Sequence, residues 1–410
     1  MSNAIDFDVL VVGGGMVGAS LALGAARAGL SVAIIEAHSL SPASMSGVSG
    51  FEPRVSAINH AARNWLKYLG VWDDINQSRV CNYHRMEVWE ADGTGEVSFS
   101  AQAMNIADLG CIIENQQIQQ ALVKGISTTS GIRTFEALSV TALHQQDDHT
   151  GVSLGDGTYL TARLVVGADG HESKVRELAG FKTSSWDYHH QALVTSVKTE
   201  KPHQYTARQI FTAVGPLAFL PLSHEGMDEH WCSIVWSINS HEAEDIFDLP
   251  EETFKQRLAR SFEFRLGTIQ EVDQRYLIPL QQRFARSYVQ PGVALVGDAA
   301  HRIHPLAGQG VNLGFLDAAT LTETLAKTVR LKQSPGSLFY LRQYQRQRQA
   351  HNLAMMAAME GFKRLYEADA LPVRWLRNQG MKWFEQLPWL KHECAKAAVG
   401  LTGPLPSVMS

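Results

Sequence analysis

The chain has 410 residues and a formal charge of −5 at pH 7. It is long enough to bury large cores without covalent staples, and it lacks the basic excess that a nucleic-acid scaffold or a polybasic membrane anchor requires. Hydrophobic residues make up 45% and charged residues 19%, ordinary for a globular chain of two to three domains. Cys81, Cys111, Cys232 and Cys394 are too widely spaced for a CxxC metal or redox site, and read as isolated thiols in a reducing cytoplasm.

Val9–Val12 is a short apolar run after Asp8 that ends in a glycine cluster, as expected of a parallel strand buried on both faces. Small apolar residues from Met16 to Ala28 predict a helix packed closely on a sheet and stopped by Gly29. Ser31–Ile35 predicts a second buried strand, with Glu36 at its end, completing a βαβ unit. The uncharged stretch Val9–Ala26 approaches the length of a membrane span, but its glycines and the preceding Asp6 and Asp8 favour strand, turn and helix. Further on, Pro42–Gly50 reads as a loop, Ala57–Leu69 as a helix, Met86–Phe99 as a hairpin around Asp92-Gly93, and Asn115–Gly125 as a helix. Thr141–Leu164 predicts a three-strand meander, and Leu164-Val165-Val166 runs into Gly167-Ala168-Asp169-Gly170.

From about residue 182 the texture changes. Ala192–Val197, Ala207–Phe211, Leu217–Leu222 and Trp231–Ser237 predict an antiparallel sheet, followed by a helix over Glu251–Phe264. Val293–Val296 is a last buried strand before Gly297-Asp298, and a long helical region begins near Gly310. The predicted fold class is α/β: a Rossmann-like dinucleotide-binding domain, an antiparallel β-sheet substrate domain and C-terminal helices. The expected boundaries are 1–75, 100–181 and 277–335 for the first, 76–99 and 182–276 for the second, and 336–410 for the helical region.

Two motifs carry chemistry. Gly13-Gly14-Gly15-Met16-Val17-Gly18 is a GxGxxG directly after a strand. Its glycines allow a tight turn, a close approach by a pyrophosphate and close helix packing, while the helix N-terminus offers N–H groups to phosphate. Glu36, 18 residues beyond Gly18, stands where a carboxylate accepts from ribose hydroxyls. The second motif couples Gly297-Asp298 to Pro305-Leu306-Ala307-Gly308-Gln309-Gly310-Val311-Asn312. Asp298 can accept from a sugar-chain hydroxyl, and the N–H groups at Gly310, Val311 and Asn312 can bond a carbonyl oxygen or a delocalised negative charge. The bland alternatives are a glycine-rich turn and an N-capped helix.

These residues, with Asp169-Gly170, Val175-Arg176, Arg54-Val55-Ser56-Ala57-Ile58, Glu114-Asn115 and the string His304–Gly314, resemble the class A flavoprotein aromatic hydroxylases and, within them, the ubiquinone-biosynthesis hydroxylases. The resemblance covers nearly the whole chain. His171-Glu172 and Arg302 depart from the usual pattern. The resemblance implies tightly held FAD, bound by Gly13–Gly18, Glu36, Arg54, Asn115, Asp169, Asp298, Pro305, Gly308, Gly310, Val311 and Asn312. It also implies transient reduction by NADPH or NADH, no metal, and oxygen transfer from a flavin hydroperoxide to a polyprenylated phenol, 2-octaprenylphenol at ring carbon 5. Under it, no side chain is assigned as catalytic, and Leu217, Phe219 and Pro221, or their strand neighbours, are expected to face the substrate. Met355, Met356, Met359, Trp375, Trp383 and Trp389, set among Arg and Lys, suit either a packed helical core or a lipid or protein surface. The expected location is cytoplasmic, peripheral to the inner membrane, with other ubiquinone-biosynthesis proteins as partners. The rival readings are a sister flavoprotein acting at another ring carbon and a non-catalytic prenyl-binding protein of the same fold.

Overall fold

The computed structural model describes residues 5–41, 47, 49–91, 93, 95–224, 229–302, 310–367, 387–401, 403 and 405–409. Among these, eight strands form the first sheet. Its centre is Phe7–Val12, flanked in parallel by Val32–Glu36 and by Tyr159–Gly167. Ile132–Glu136 extends it in parallel on one side and Val293–Leu295 on the other. Val9, Leu10 and Val11 are fully buried, as strands covered on both faces must be. The predicted meander is present as Val140–Gln145, Thr150–Leu154 and Tyr159–Gly167, paired antiparallel.

A nine-stranded sheet forms the second layer. Its longest strand, Thr183–Thr199, pairs antiparallel with Trp231–Asn239 and with Tyr276–Ala285. Tyr276–Ala285 therefore belongs to this sheet, although the sequence places everything from residue 277 with the dinucleotide-binding part. Its alternation is broken by polar Gln281, Gln282 and Arg283, which mask the strand. The outer face of the sheet is closed by Ser240–Phe247 and Glu251–Ser261.

A third sheet of three strands, Val55–Ile58, Gly110–Glu114 and Cys81–Tyr83, joins the two layers. Cys81–Tyr83 thus leaves the β-rich block to which residues 76–99 are assigned by sequence. Ala57 and Ile58 are strand, and the helix starts only at His60 because Asn59 caps it, accepting from Ala62 N–H at 2.9 Å. No helix of the described residues is long and apolar enough to cross a membrane.

Candidate active site

The glycine turn joins Phe7–Val12 to the helix Met16–Arg27. Gly13 has φ +101°, and a side chain there would collide with the Ala168 carbonyl. A Cβ at Gly18 would strike the Gly13 carbonyl and lie 3.0 Å from Ala168 Cβ. Gly15 differs: nothing lies within 4 Å of where its Cβ would be. It stands as N-cap with no side-chain cap, so the first N–H groups of the helix point outward unbonded by a capping residue. That open cradle fits a pyrophosphate.

Glu36 ends the second strand and accepts from Gly14 N–H at 2.7 Å and His38 N–H at 3.0 Å. Each carboxylate oxygen takes one of these bonds, leaving acceptor capacity for a ribose. Met16 opens the helix, and Val17 packs its branched end against Gly297 and Gly314, whose Cβ positions would lie 3.3 Å and 2.5 Å from it. Val17 therefore locks the first motif to the second through its side chain.

Asp169 follows the strand Tyr159–Gly167. One oxygen accepts from Lys174 N–H at 2.7 Å and Val175 N–H at 3.1 Å. The other, Oδ1, is buried and has no partner, which fits a ligand hydroxyl. Arg176 is buried and donates to Ala299 O at 3.0 Å and His171 O at 2.7 Å. It thereby ties the Asp169 turn to the Asp298 turn. His171 O accepts again from Arg283 at 2.8 Å. Burial, and then the charge of Arg302, hold the His171 imidazole below its usual pKa.

Asp298 is exposed in the short turn Gly297–Ala299 and accepts no hydrogen bond among the described residues. Behind it lies a buried network that sequence reading missed. Asp317, in the helix Gly310–Arg330, accepts from Gly297 N–H at 3.0 Å, His301 Nε2 at 2.5 Å, Arg348 Nε at 2.7 Å and Asn352 Nδ2 at 3.3 Å. Burial alone would raise its pKa, but His301 and Arg348 more than reverse this and hold it well below the carboxylate range. Tyr288 stacks on His301 with ring centroids 5.8 Å apart. The signal was present: an acidic residue between Leu316 and Ala318 in an apolar helix demands a partner.

Gly310 begins the helix Gly310–Arg330 in open space, and Val311 follows half-buried. The Asn312 side chain is engaged structurally, accepting from Asn59 N–H at 3.2 Å and donating to Ala57 O at 2.7 Å. Asn115 is held alike: its side-chain oxygen accepts from Ser56 Oγ at 2.6 Å, and its N–H donates to Arg54 O at 2.9 Å. The Arg54 side chain is exposed. The segment before it is gripped by the buried Arg79–Glu114 pair, Arg79 donating to Gly50 O at 2.7 Å and Glu114 accepting from Glu52 N–H at 2.7 Å. Pro305 and Gly308, like His304, lie outside the described residues.

Leu217 and Phe219 do not face this site. They point into the outer core, where Phe219 stacks on Phe262 at 3.7 Å between centroids. Pro221 shares their parity on the strand Gly215–Pro221. Strand alternation turns their neighbours Ala218 and Leu220 inward, toward Phe51, Val55, Ala57 and Ile112.

The chain matches the family model described as an FAD binding domain over residues 6–359. It is 38% identical over 394 residues to the 3-demethoxyubiquinol 3-hydroxylase of Escherichia coli (strain K12), covering 96% of this chain and 98% of that protein. To the mitochondrial ubiquinone biosynthesis monooxygenase COQ6 of Homo sapiens it is 31% identical, covering 94% of this chain and 91% of that one. Among solved structures, p-nitrophenol 4-monooxygenase PnpA from Pseudomonas putida DLL-E4 shares the fold at a TM-score of 0.77 and 22% identity, with 97% of this chain and 98% of that chain covered. P. aeruginosa PqsL in complex with 2-aminobenzoylacetate shares it at 0.75 and 23%, with 92% and 99% covered. The chain belongs to the FAD-binding-domain family of flavin-dependent monooxygenases, the group that includes the ubiquinone-biosynthesis hydroxylases.

Proposed function

We propose that this monooxygenase hydroxylates the ring of a polyprenylated phenol in ubiquinone biosynthesis, using NAD(P)H and dioxygen. The observation that carries the reading is the full-length similarity to 3-demethoxyubiquinol 3-hydroxylase, together with an intact dinucleotide cradle. The rival of a non-catalytic prenyl-binding protein is disfavoured by the buried Asp169 Oδ1, which has no partner among the described residues and which such a protein would not need.

When bound, FAD reduced by the nicotinamide donor supplies the oxygen-activating chemistry, one oxygen atom passing to the ring and the other leaving as water. The residues of the chain bind, orient and shield. The N–H groups opening Met16–Arg27 would hold the pyrophosphate, Glu36 would accept from the adenosine ribose, and Asp169 and Asp298 would accept from the sugar chain. The N–H groups at Gly310, Val311 and Asn312, at the start of the helix Gly310–Arg330, would stabilise negative charge on the reduced ring, an effect strongest in a dry site. Arg54, just before the strand Val55–Ile58, and Asn115, just after Gly110–Glu114, would contribute to the cradle, and the resemblance alone adds Pro305 and Gly308. The nine-stranded sheet, packed toward Phe51, Val55 and Ala57, would cover the ring and exclude water.

For the ring position, the middle segments Met86–Trp89, Trp186–Tyr188 and Cys232–Ser237 resemble those of the ubiquinone-biosynthesis hydroxylases that act at carbon 5 of 2-octaprenylphenol, and on that resemblance favour carbon 5. The 38% identical relative favours a demethoxyubiquinol-type ring instead. The same reading puts the enzyme in the cytoplasm, against the inner membrane that holds its prenylated substrate. The experiment is to identify the quinone intermediate that accumulates in cells lacking the protein. Octaprenylphenol supports carbon 5 and a demethoxyquinone the second reading, whereas an unchanged quinone pool overturns both.

A further inference from the structure

Two buried hydroxyls on the nine-stranded sheet have no partner among the described residues. Ser196 and Ser233 are 2% and 0% exposed, and neither Oγ makes a hydrogen bond. They are direct cross-strand partners in the antiparallel pair of Thr183–Thr199 with Trp231–Asn239. Directly opposed side chains in such a pair have Cβ atoms roughly 5 Å apart, so a single oxygen lodged between them reaches both.

Alternation fixes the face they occupy. Leu193, Val197, Ile234 and Trp236 enter the outer core beneath Glu251–Ser261. The serines share the opposite face with Val194, Val235 and Trp231, and Leu220 stands opposite Ser233 on its other side. That face packs toward Phe51, Val55 and Ala57, on the side of the dinucleotide cradle. Asp273 strengthens the placement: its N–H donates to Ser196 O at 2.9 Å, and its carboxylate grips Ser49, five residues before Arg54. Lys198, two residues on from Ser196, is paired with Glu271 at 3.7 Å. The neighbouring side chains are Val194, Val235, Leu220 and Trp231, with the Asp273 carboxylate at the edge and the nearest cation already paired, so the place suits an uncharged ring oxygen better than a carboxylate. Two adjacent buried hydroxyls without protein partners are unfavourable unless a ligand or a bound water uses them, and a ligand oxygen can take that place.

We propose that Ser196 and Ser233 form the polar subsite that recognises the ring hydroxyl of the aromatic substrate, one serine donating to it and the other accepting from it. This rests on the phenolic substrate class proposed above. The pair sets which ring edge enters, because an oxygen-bearing edge gains two hydrogen bonds and a bare edge leaves both hydroxyls unpaired.

The test uses the full-length, FAD-loaded protein with Ser196→Ala and Ser233→Ala made singly. Binding of a short-chain 2-prenylphenol and of prenylbenzene, which lacks the ring oxygen, is read from the change in flavin absorbance. Each variant should bind the phenol roughly tenfold more weakly, bind prenylbenzene as the wild type does, and melt at the same or a higher temperature. Unchanged phenol affinity in both variants overturns the subsite while leaving the substrate class standing. A wild-type protein that carries FAD and yet does not distinguish phenol from prenylbenzene overturns the substrate class, and the subsite with it. Since each serine is tested alone, one variant that does not fold leaves the other to decide.

Discussion

Gly297 donates its backbone N–H to Asp317 Oδ2 at 3.0 Å, across 20 residues of chain. The same carboxylate takes Arg348 Nε at 2.7 Å, so the turn presenting Asp298 and the helix Leu338–Glu367 hang on one buried charge. Asp317→Asn keeps the shape but leaves Arg348 without its counter-charge, and breaking such a buried pair costs about 3–5 kcal/mol. We expect a urea midpoint shifted down accordingly, with weaker FAD binding. A variant as stable as the wild type would remove Asp317 from its role as anchor.

Gly15 and Gly18 should respond oppositely to added side chains. Gly15→Val projects into open space, so the protein should fold, keep its far-ultraviolet circular dichroism and lose FAD. Gly18→Ala drives a methyl group into the Gly13 carbonyl, so the strand–helix packing itself should fail and soluble yield should collapse. Retention of stoichiometric FAD by Gly15→Val would refute the cradle.

Asp298→Ala removes an exposed carboxylate that makes no hydrogen bond among the described residues and interacts with Arg302 and His171 through charge alone. Apoprotein stability should be unchanged. A charge-assisted hydrogen bond is worth about 1.5–3 kcal/mol, so FAD affinity should fall roughly ten- to a hundredfold. Flavin titration of the apoprotein measures it, and an equal dissociation constant would count against the assignment.

His203 gives a pH prediction. It is buried, with Nε2 donating to Leu222 O at 3.1 Å and Nδ1 accepting from Tyr205 N–H at 3.0 Å. Burial lowers its pKa from 6.5 to about 4. Between those values the unfolded chain binds a proton that the native state refuses. The stability it contributes is therefore fully present above pH ~6.5 and declines toward pH ~4, by about 3 kcal/mol across the window. Denaturation curves over this range should show that slope, and His203→Gln should flatten it.

Much of the cofactor half was legible because its signals are local. The first βαβ unit and the meander announce themselves through uninterrupted apolar runs ending in glycine. Val55–Ile58, Cys81–Tyr83 and Gly110–Glu114 are three to five residues long and gain their pairing only from distant partners. The side to which Leu217 and Phe219 point was not legible either. Alternation places them on one face of a strand, but only the helices docked at Phe254 and Phe262 decide which face is outer. Asp317 and Arg348 are 31 residues apart, and their pairing depends on how two helices cross.

The strands Phe7–Val12, Tyr159–Gly167 and Val293–Leu295 are immediate parallel neighbours, and each ends at a cofactor motif. On the ribosome the third of these emerges on the order of tens of seconds after the first, at ordinary rates of synthesis. Until then the glycine turn has neither its Asp298 partner nor the notch at Gly297 and Gly314 that seats Val17. A nascent chain stopped short of Val293 therefore has no complete cradle to close around the cofactor. Flavin colour in this protein should thus report that synthesis has passed the last strand of the first sheet, and truncation products ending before it should be separable from full-length chains by their lack of yellow.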